Sequence, residues 1–354
     1  MITPLVFSQT IKRFEHKNFQ GQICLSPFVS IEVDVNGHVR LCGCQPWMPT
    51  TIGNVFEQSI QELLASPLAQ EIRHSIIDGS YVFCDETKCG IIANNALNSQ
   101  DNLPTAVEWQ TQDASRWQLP HEIFIAGDLT CNLSCPSCRT HVIASSDQDI
   151  ERQNQLGELL RLNLFSHPTT QSIRLHVSTS GEIFASARLL AFVSSISTAA
   201  FPNLRLHIQT NGLLMPTRWS RLGDMCSQVD KITITVDAAK ADTYEKLRRG
   251  GSWSHMLQSL AWARDHCEQN QIDLHLRMVV QNDNWSQMQE FYDMAMLYNA
   301  DQVEYSRISN WGTFTAQQFG SVDVFDKNHV DHAQASASLV NIRQLPKVFV
   351  SGGL

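Results

Sequence analysis

Between about residue 119 and residue 308 the chain alternates short strand-like runs with stretches of helix length, and this alternation limits the fold more than any other feature. The runs fall at 122–127, 172–178, 204–209, 231–237, 272–280 and 302–308. Helix-like stretches lie at about 148–164, 187–198 and 287–297. Strands separated by helices of this length build a parallel sheet with right-handed crossovers. Six such repeats predict an α/β fold, a partial (β/α)6 barrel of the TIM type over 119–313. Buried parallel strands usually read as near-continuous apolar runs, and these do not. Polar residues recur at period two: His176, Ser178 and Ser180; Arg205, His207 and Gln209; Thr233, Thr235 and Asp237; His275 and Arg277. Period two places each set on one face. That face either lines a cavity or points at the helices as paired core groups.

The first run, Ile123 to Gly127, leads into Asp128-Leu-Thr-Cys-Asn-Leu-Ser-Cys-Pro-Ser-Cys-Arg139. Cys131, Cys135 and Cys138 therefore sit on a loop at the carboxyl end of a strand, where such barrels keep their chemistry. Three close thiolates suit iron–sulfur or zinc, and a three-ligand set leaves a coordination position open. The chain has 354 residues and ten cysteines, with a net charge of −9. No apolar run suits a signal peptide or a membrane span, and no basic run tracks phosphates. The expectation is a cytoplasmic protein with neither nucleic-acid nor membrane partners. In that setting cysteines serve metals or catalysis rather than disulfides.

Five cysteines lie in the first ninety residues: Cys24, Cys42, Cys44, Cys84 and Cys89. Ile31, Val33 and Val35 alternate with Glu32 and Asp34, and Val39 and Leu41 continue the pattern after Asn36-Gly37. This reads as a hairpin with positive φ at both turn residues, bringing Cys42 and Cys44 back toward Cys24. Ser59-Ile-Gln-Glu62 is a capping box, Ser66-Pro67 starts a second helix and Asp78-Gly79 ends it. Asp242-Thr-Tyr-Glu245 reads as another capping box. Residues 91–117 are polar and read as a linker. Cys226 and Cys267 read as ordinary buried or half-buried thiols.

The C-x3-C-x2-C run resembles the signature of the radical S-adenosylmethionine (radical SAM) superfamily. That resemblance implies a [4Fe-4S] cluster on Cys131, Cys135 and Cys138, with S-adenosylmethionine on the remaining iron. Ser180-Gly181-Glu182 resembles the family's Gly-Gly-Glu motif, with Ser180 in place of the first glycine. By the same resemblance Thr235 faces the cofactor's ribose or carboxylate, and Arg248 or Arg249 meets the carboxylate or anchors the loop. Asn211, in Thr210-Asn211-Gly212, joins the binding set, and Val279 and Val280 offer an apolar wall for adenine. Cys24, twelve residues, Gly37, four residues and Cys42 resemble the opening of the SPASM/twitch domain, here ahead of the barrel. Asn310-Trp-Gly-Thr313 resembles the turn that follows the sixth strand in members bearing this domain. The resemblance implies an auxiliary [4Fe-4S] cluster on Cys24, Cys42, Cys84 and Cys89, with Cys44 spare or a hydrogen donor. A four-cysteine zinc site is the alternative for that set.

The implied organisation is a small cysteine-rich α+β cluster domain (β-hairpin plus helices) with its linker over 1–105, a barrel over 119–313, and a tail over 314–354 that packs on the barrel with a helix and short strand. The implied activity is reductive cleavage of S-adenosylmethionine and hydrogen abstraction from a peptide or small metabolite. Its electron donor would be a flavodoxin or ferredoxin. The competing reading is a non-catalytic iron–sulfur or zinc protein that binds a partner.

Overall fold

The computed structural model describes residues 19, 21–85, 88–93, 96–99, 119–177, 180–351 and 354. The strands in chain order are β1 (Gln22–Ile23), β2 (Ser30–Asp34), β3 (His38–Arg40), β4 (Gly53–Asn54), β5 (Asn98–Ser99), β6 (Glu122–Ala126), β7 (Ile173–Val177), β8 (Leu204–Thr210), β9 (Val229–Thr235), β10 (Asp273–Val280), β11 (Gln302–Arg307) and β12 (Val348–Ser351). Strands β6 to β11 lie side by side in sequence order, every pair parallel. Between them run helices that include Asp147–Leu164, Ala187–Ser194, Trp253–Asn270 and Met288–Leu297. This is the α/β architecture that the alternation predicts, because parallel neighbours need long crossovers.

The wall extends past both ends of that set. The tail strand β12 pairs parallel with β11. On the other edge β2 pairs parallel with β6, from Ser30 opposite Glu122 to Asp34 opposite Ala126. Antiparallel β3 and β4 then continue the same ten-stranded sheet. The amino-terminal hairpin is thus part of the wall rather than a sheet of its own. The tail supplies the helix His332–Ile342 ahead of β12. Most of the 91–117 linker lies outside the described residues, as does Ser178.

Side chains obey period two along every central strand. Ile123, Leu175, Leu206, Ile232, Leu276 and Val303 are fully buried on one side. Burying that much aliphatic surface is the main force holding helices to sheet. Phe124, His176, His207, Thr233, Arg277 and Glu304 alternate with them on the other face. Hydrogen bonds link them across the strands, His207 to both His176 and Thr233, and Arg277 to Glu304. The polar sets therefore share a concave face and do not point at the helices.

Three local expectations change. At the hairpin only Gly37 takes positive φ (81°), with its N–H donating to the Asp34 carbonyl. The turn therefore spans Asp34 to Gly37, and Gly37 alone takes the left-handed geometry of a bulge. The expected box at Asp242 is absent: helix Ala241–Leu247 starts after Lys240 with no side-chain cap. Glu245 instead accepts from the Trp253 N–H, at the start of the next helix. Val280 is buried on the helix side, so only Val279 of that pair faces the concave surface. The boxes at Ser59 and the cap at Ser66 form as read, and a further box forms at Ser146 with Asp149.

Leu276→Ala removes a fully buried side chain between sheet and helices. It should lower unfolding free energy by about 2–5 kcal/mol in urea titration, whereas Leu276→Met should cost less than about 1.5 kcal/mol.

Candidate active site

All the strand-end motifs emerge at one end of the barrel. The cysteine loop follows β6 and is closed by the Cys131 N–H donating to the Ile143 carbonyl at 3.1 Å. Asp128 starts it: its carboxylate accepts from Thr130 N at 2.7 Å and Gln153 Nε2 at 3.0 Å, and pairs with Ser186 Oγ. A tight turn brings the N–H groups of Cys138 and Arg139 onto the Cys135 carbonyl, at 2.9 and 3.0 Å.

The loop after β7 clamps onto this one. Ser180 Oγ sits 3.0 Å from the Ala126 carbonyl and 3.1 Å from that of Asp128. A Cβ on Gly181 would stand 2.3 Å from the Asp128 carbonyl oxygen and 2.8 Å from that of Thr130. The backbones approach so closely that only glycine fits. The Glu182 N–H then donates to the Thr130 carbonyl at 2.9 Å. The Glu182 carboxylate is 1% exposed and turns toward β8. It accepts from Thr210 Oγ1 at 2.7 Å, Asn211 N at 2.6 Å and Phe184 N at 3.1 Å. Burial still holds its pKa above the usual carboxylate value, ahead of the opposing donors. Asn211 is thereby fixed with Nδ2 2.9 Å from Asn132 Oδ1 and 3.9 Å from Cys131 Sγ.

Each of the three thiols meets an N–H donor. Cys131 Sγ faces Leu133 N at 3.5 Å, Cys135 Sγ faces Arg248 Nη1 at 3.6 Å, and Cys138 Sγ faces Arg139 Nη2 at 3.3 Å. Burial raises the Cys131 pKa. The two candidate arginines divide their tasks. Arg248 bridges Cys135 and Asp237, with Nη2 2.9 Å from Asp237 Oδ2, while Arg249 braces the loop through Ser134 and Thr140. Burial opposes the Arg248 charge, and Asp237 and Cys135 keep its pKa raised. Thr235 is buried opposite Arg277 in the register. The motif readings missed Arg139, which also donates to the carbonyls of Leu129 and Ser180, and the bridging part of Asp237. Their signals are position only: a basic residue directly after the last cysteine, and an acid two residues past the end of β9.

The hairpin thiols form a second group. Burial raises the pKa of Cys42 first, followed by the charges of Cys24, Cys44 and Cys89. For Cys84 burial leads and Cys24 and Cys89 follow. Tyr81 braces the group, its hydroxyl accepting from the Cys24 N–H at 3.1 Å. Cys44 also feels groups outside that set: burial and Glu32 push it up to about 12, and Arg277 on β10 opposes them. Arg277 is itself held by Gln209 Oε1 at 2.9 Å and Glu304 Oε2 at 2.7 Å. Among the described residues no three His, Cys, Asp or Glu side chains converge as around one metal ion. A multi-iron cluster offers a separate iron to each thiolate, so its ligands need not share one centre.

Residues 129–295 match the radical SAM superfamily, and residues 24–90 match SPASM, an iron–sulfur cluster-binding domain. The chain is 25% identical over 133 residues to a GTP 3′,8-cyclase of Alkaliphilus metalliredigens (strain QYMF), covering 37% of this chain and 39% of that protein. It therefore spans well under half the length of this curated relative. Streptococcus suis SuiB bound to S-adenosylmethionine matches at 13% identity and TM-score 0.42, covering 82% of this chain and 63% of that one. SuiB bound to its precursor peptide SuiA matches at 11% and 0.44, covering 94% and 72%. No helix among the described residues is long and apolar enough to cross a membrane.

The residues present fit a thiolate-bound cluster. N–H and guanidinium donors at each sulfur are the contacts that would offset negative charge on cluster-bound thiolates.

Glu182→Ala would strand three buried donors around one lost acceptor. It should cost at least about 2 kcal/mol in urea unfolding, and Glu182→Gln should lose less because it keeps the volume and one acceptor.

Proposed function

Because residues 129–295 match the radical SAM superfamily and residues 24–90 match SPASM, we propose that the chain is a radical SAM enzyme acting on a peptide or small polar metabolite. Cys131, Cys135 and Cys138 hold the [4Fe-4S] cluster. Ser180, Gly181, Glu182, Asn211, Thr235 and Arg248 form the S-adenosylmethionine site. Cys24, Cys42, Cys84 and Cys89 hold the auxiliary cluster. The working units are a cluster domain with its linker over 1–105, a catalytic barrel over 119–313 and a covering tail over 314–354. The protein works in the cytoplasm and draws electrons from a flavodoxin or ferredoxin.

One observation carries the reading: the clasp of Ser180-Gly181-Glu182 on the cysteine loop, with Asn211 and Arg248 brought onto Cys131 and Cys135. When bound, the cofactors supply a 5′-deoxyadenosyl radical for hydrogen abstraction and, at the auxiliary site, an electron acceptor. The chain's own part is positional and electrostatic. Glu182 fixes Asn211 from below. The peptide edge at Gly181 stays narrow for want of a side chain. Arg248 and Arg139 offset negative charge on the cysteine loop. The concave wall presents Gln209, Arg277 and Glu304 as paired polar groups, a lining suited to a polar substrate.

Anaerobically reconstituted protein should carry about eight irons per chain, as two [4Fe-4S] clusters contain. With dithionite and S-adenosylmethionine it should form 5′-deoxyadenosine. Cys131→Ala, Cys135→Ala and Cys138→Ala should each abolish that product, and normal product in all three would sink the assignment. Cys84→Ala should lower iron to about four per chain while uncoupled cleavage continues. Unchanged iron there would move the auxiliary site elsewhere, and zinc in place of four irons would make it a structural zinc site.

A further inference from the structure

A chain of hydrogen bonds crosses the concave face from the amino-end rim toward the lumen. Glu122 opens β6 at the rim, its side chain 27% exposed and paired with Arg174 Nη1 at 3.0 Å. Its other oxygen meets His176 Nε2 at 2.5 Å. His176 Nδ1 lies 2.9 Å from His207 Nδ1, and His207 Nε2 lies 3.0 Å from Thr233 Oγ1. Phe124 stacks on the His176 ring, centroids 4.1 Å apart and planes 9° apart, and fixes its orientation.

The two facing Nδ1 atoms restrict the protons, since one of them must donate and the other accept. If His207 donates, neutral His176 carries its proton on Nε2 and gives it to the Glu122 carboxylate. His207 Nε2 is then bare and accepts from the Thr233 hydroxyl. Every group is paired with both rings neutral. If a neutral His176 donates instead, its bare Nε2 faces Glu122 and is paired when Glu122 carries a proton; the same proton held on Nε2 would charge the ring, which is the outcome the relay excludes. His207 Nε2–H then donates to Thr233. This second state is also fully paired, and it holds one proton more than the first.

We propose that Glu122, His176, His207 and Thr233 form a proton relay that moves one proton between the barrel lumen and its amino-end rim. The steps balance. Thr233 Oγ1 takes a proton from an acidic group or water in the lumen and passes its own to His207 Nε2. His207 passes its Nδ1 proton to His176 Nδ1, and His176 passes its Nε2 proton to the Glu122 carboxylate. The lumen loses one proton, Glu122 gains it, and neither ring ends charged. The reverse shift returns it.

The surroundings keep the His207 ring neutral. Burial, then the charges of His176, Lys231, Arg277 and His275, lower the His207 pKa to about 2. His275 is lowered to about 4, first by burial. At the rim Arg174 faces Glu122, and Asp230 lies within reach of Arg174. The relay rests on the radical SAM reading only in taking the lumen as the place where substrate reacts. A substrate that loses a hydrogen atom and then an electron must also lose a proton, and this chain leads that proton away from the cofactor end.

The test is long-range proton–nitrogen NMR on the reconstituted protein labelled with 15N-histidine, with rings assigned through His176→Asn and His207→Asn. At neutral pH His207 should carry its proton on Nδ1 and His176 on Nε2. On acidification the relay requires both rings to exchange to the opposite tautomers together, with the added proton on Glu122 and neither ring charged. Glu122→Gln should lose that joint exchange by removing the proton store, and Thr233→Val should lose it by removing the acceptor for His207 Nε2–H. A change in one ring alone, a charged ring, no change in the wild type, or a joint exchange surviving in either variant would overturn the relay. The readout needs neither substrate nor turnover. A protein that makes no 5′-deoxyadenosine yet shows the joint exchange would lose the proposed function and keep the relay.

Discussion

Period-two alternation along the parallel strands is the constraint on which the rest of this structure depends. Odd positions of β6 and β7 and their equivalents are aliphatic and fully buried, as at Ile123 and Leu175. They hold the helices to the sheet through area removed from water. Once that face is committed, the alternate positions are free of any stabilising duty toward the helices. Phe124, His176, His207, Arg277 and Glu304 occupy them. A slip of one residue in any strand would send guanidinium and imidazole groups into the helix interface, so register is strongly specified. The same aliphatic side chains that stabilise the fold thus oblige the polar lining to face inward.

The lining is tolerable because its charges are paired across strands. Arg277 spans Gln209 on β8 and Glu304 on β11, and Ser351 on β12 donates to the second Glu304 oxygen at 2.8 Å. Glu32 is less fully balanced: burial raises its pKa to about 7 against the pull of Arg40, and one of its oxygens is buried without a partner. Removing one member of such a network strands its partner in a poorly hydrated place, which costs more than the bond itself contributes.

Strand positions and strand-end motifs were legible in the sequence because each rests on local chemistry: alternation, a glycine, a cap. Ser59 with Glu62 and Ser66 before Pro67 act within three residues of themselves, and they form. Asp242 and Glu245 have the same local pattern, yet no side chain caps that helix and Glu245 accepts from Trp253 N instead, so tertiary contacts override the cap. The cross-strand partnerships were not legible for the same reason. Nothing near Glu182 in sequence announces Asn211, and nothing near Arg248 announces Cys135, which lies 113 residues away. Ser180 shows the limit most clearly. As a sequence it is a departure from a glycine pair, while in the fold its hydroxyl lies between two carbonyls of the neighbouring loop.

The parallel pairing of β2 with β6 explains how Cys44, encoded ahead of the barrel, comes within electrostatic reach of Arg277 on β10. An open sheet leaves the free edge of β6 with unpaired backbone groups, and an unpaired edge recruits a strand. The segment that precedes β6 in the chain fills that edge, and β12 fills the opposite one. The outermost strands are then short, two residues at β4 and four at β12, which limits further edge pairing. With β2 in register, the turn at Gly37 returns the chain through β3 to Cys42 and Cys44 beside the wall. Gly43 between them packs so tightly that an added Cβ would meet the Phe124 ring at 2.5 Å. A side chain there would push the thiols off the wall, so the lack of one keeps Cys44 within electrostatic reach of Arg277 in the lumen.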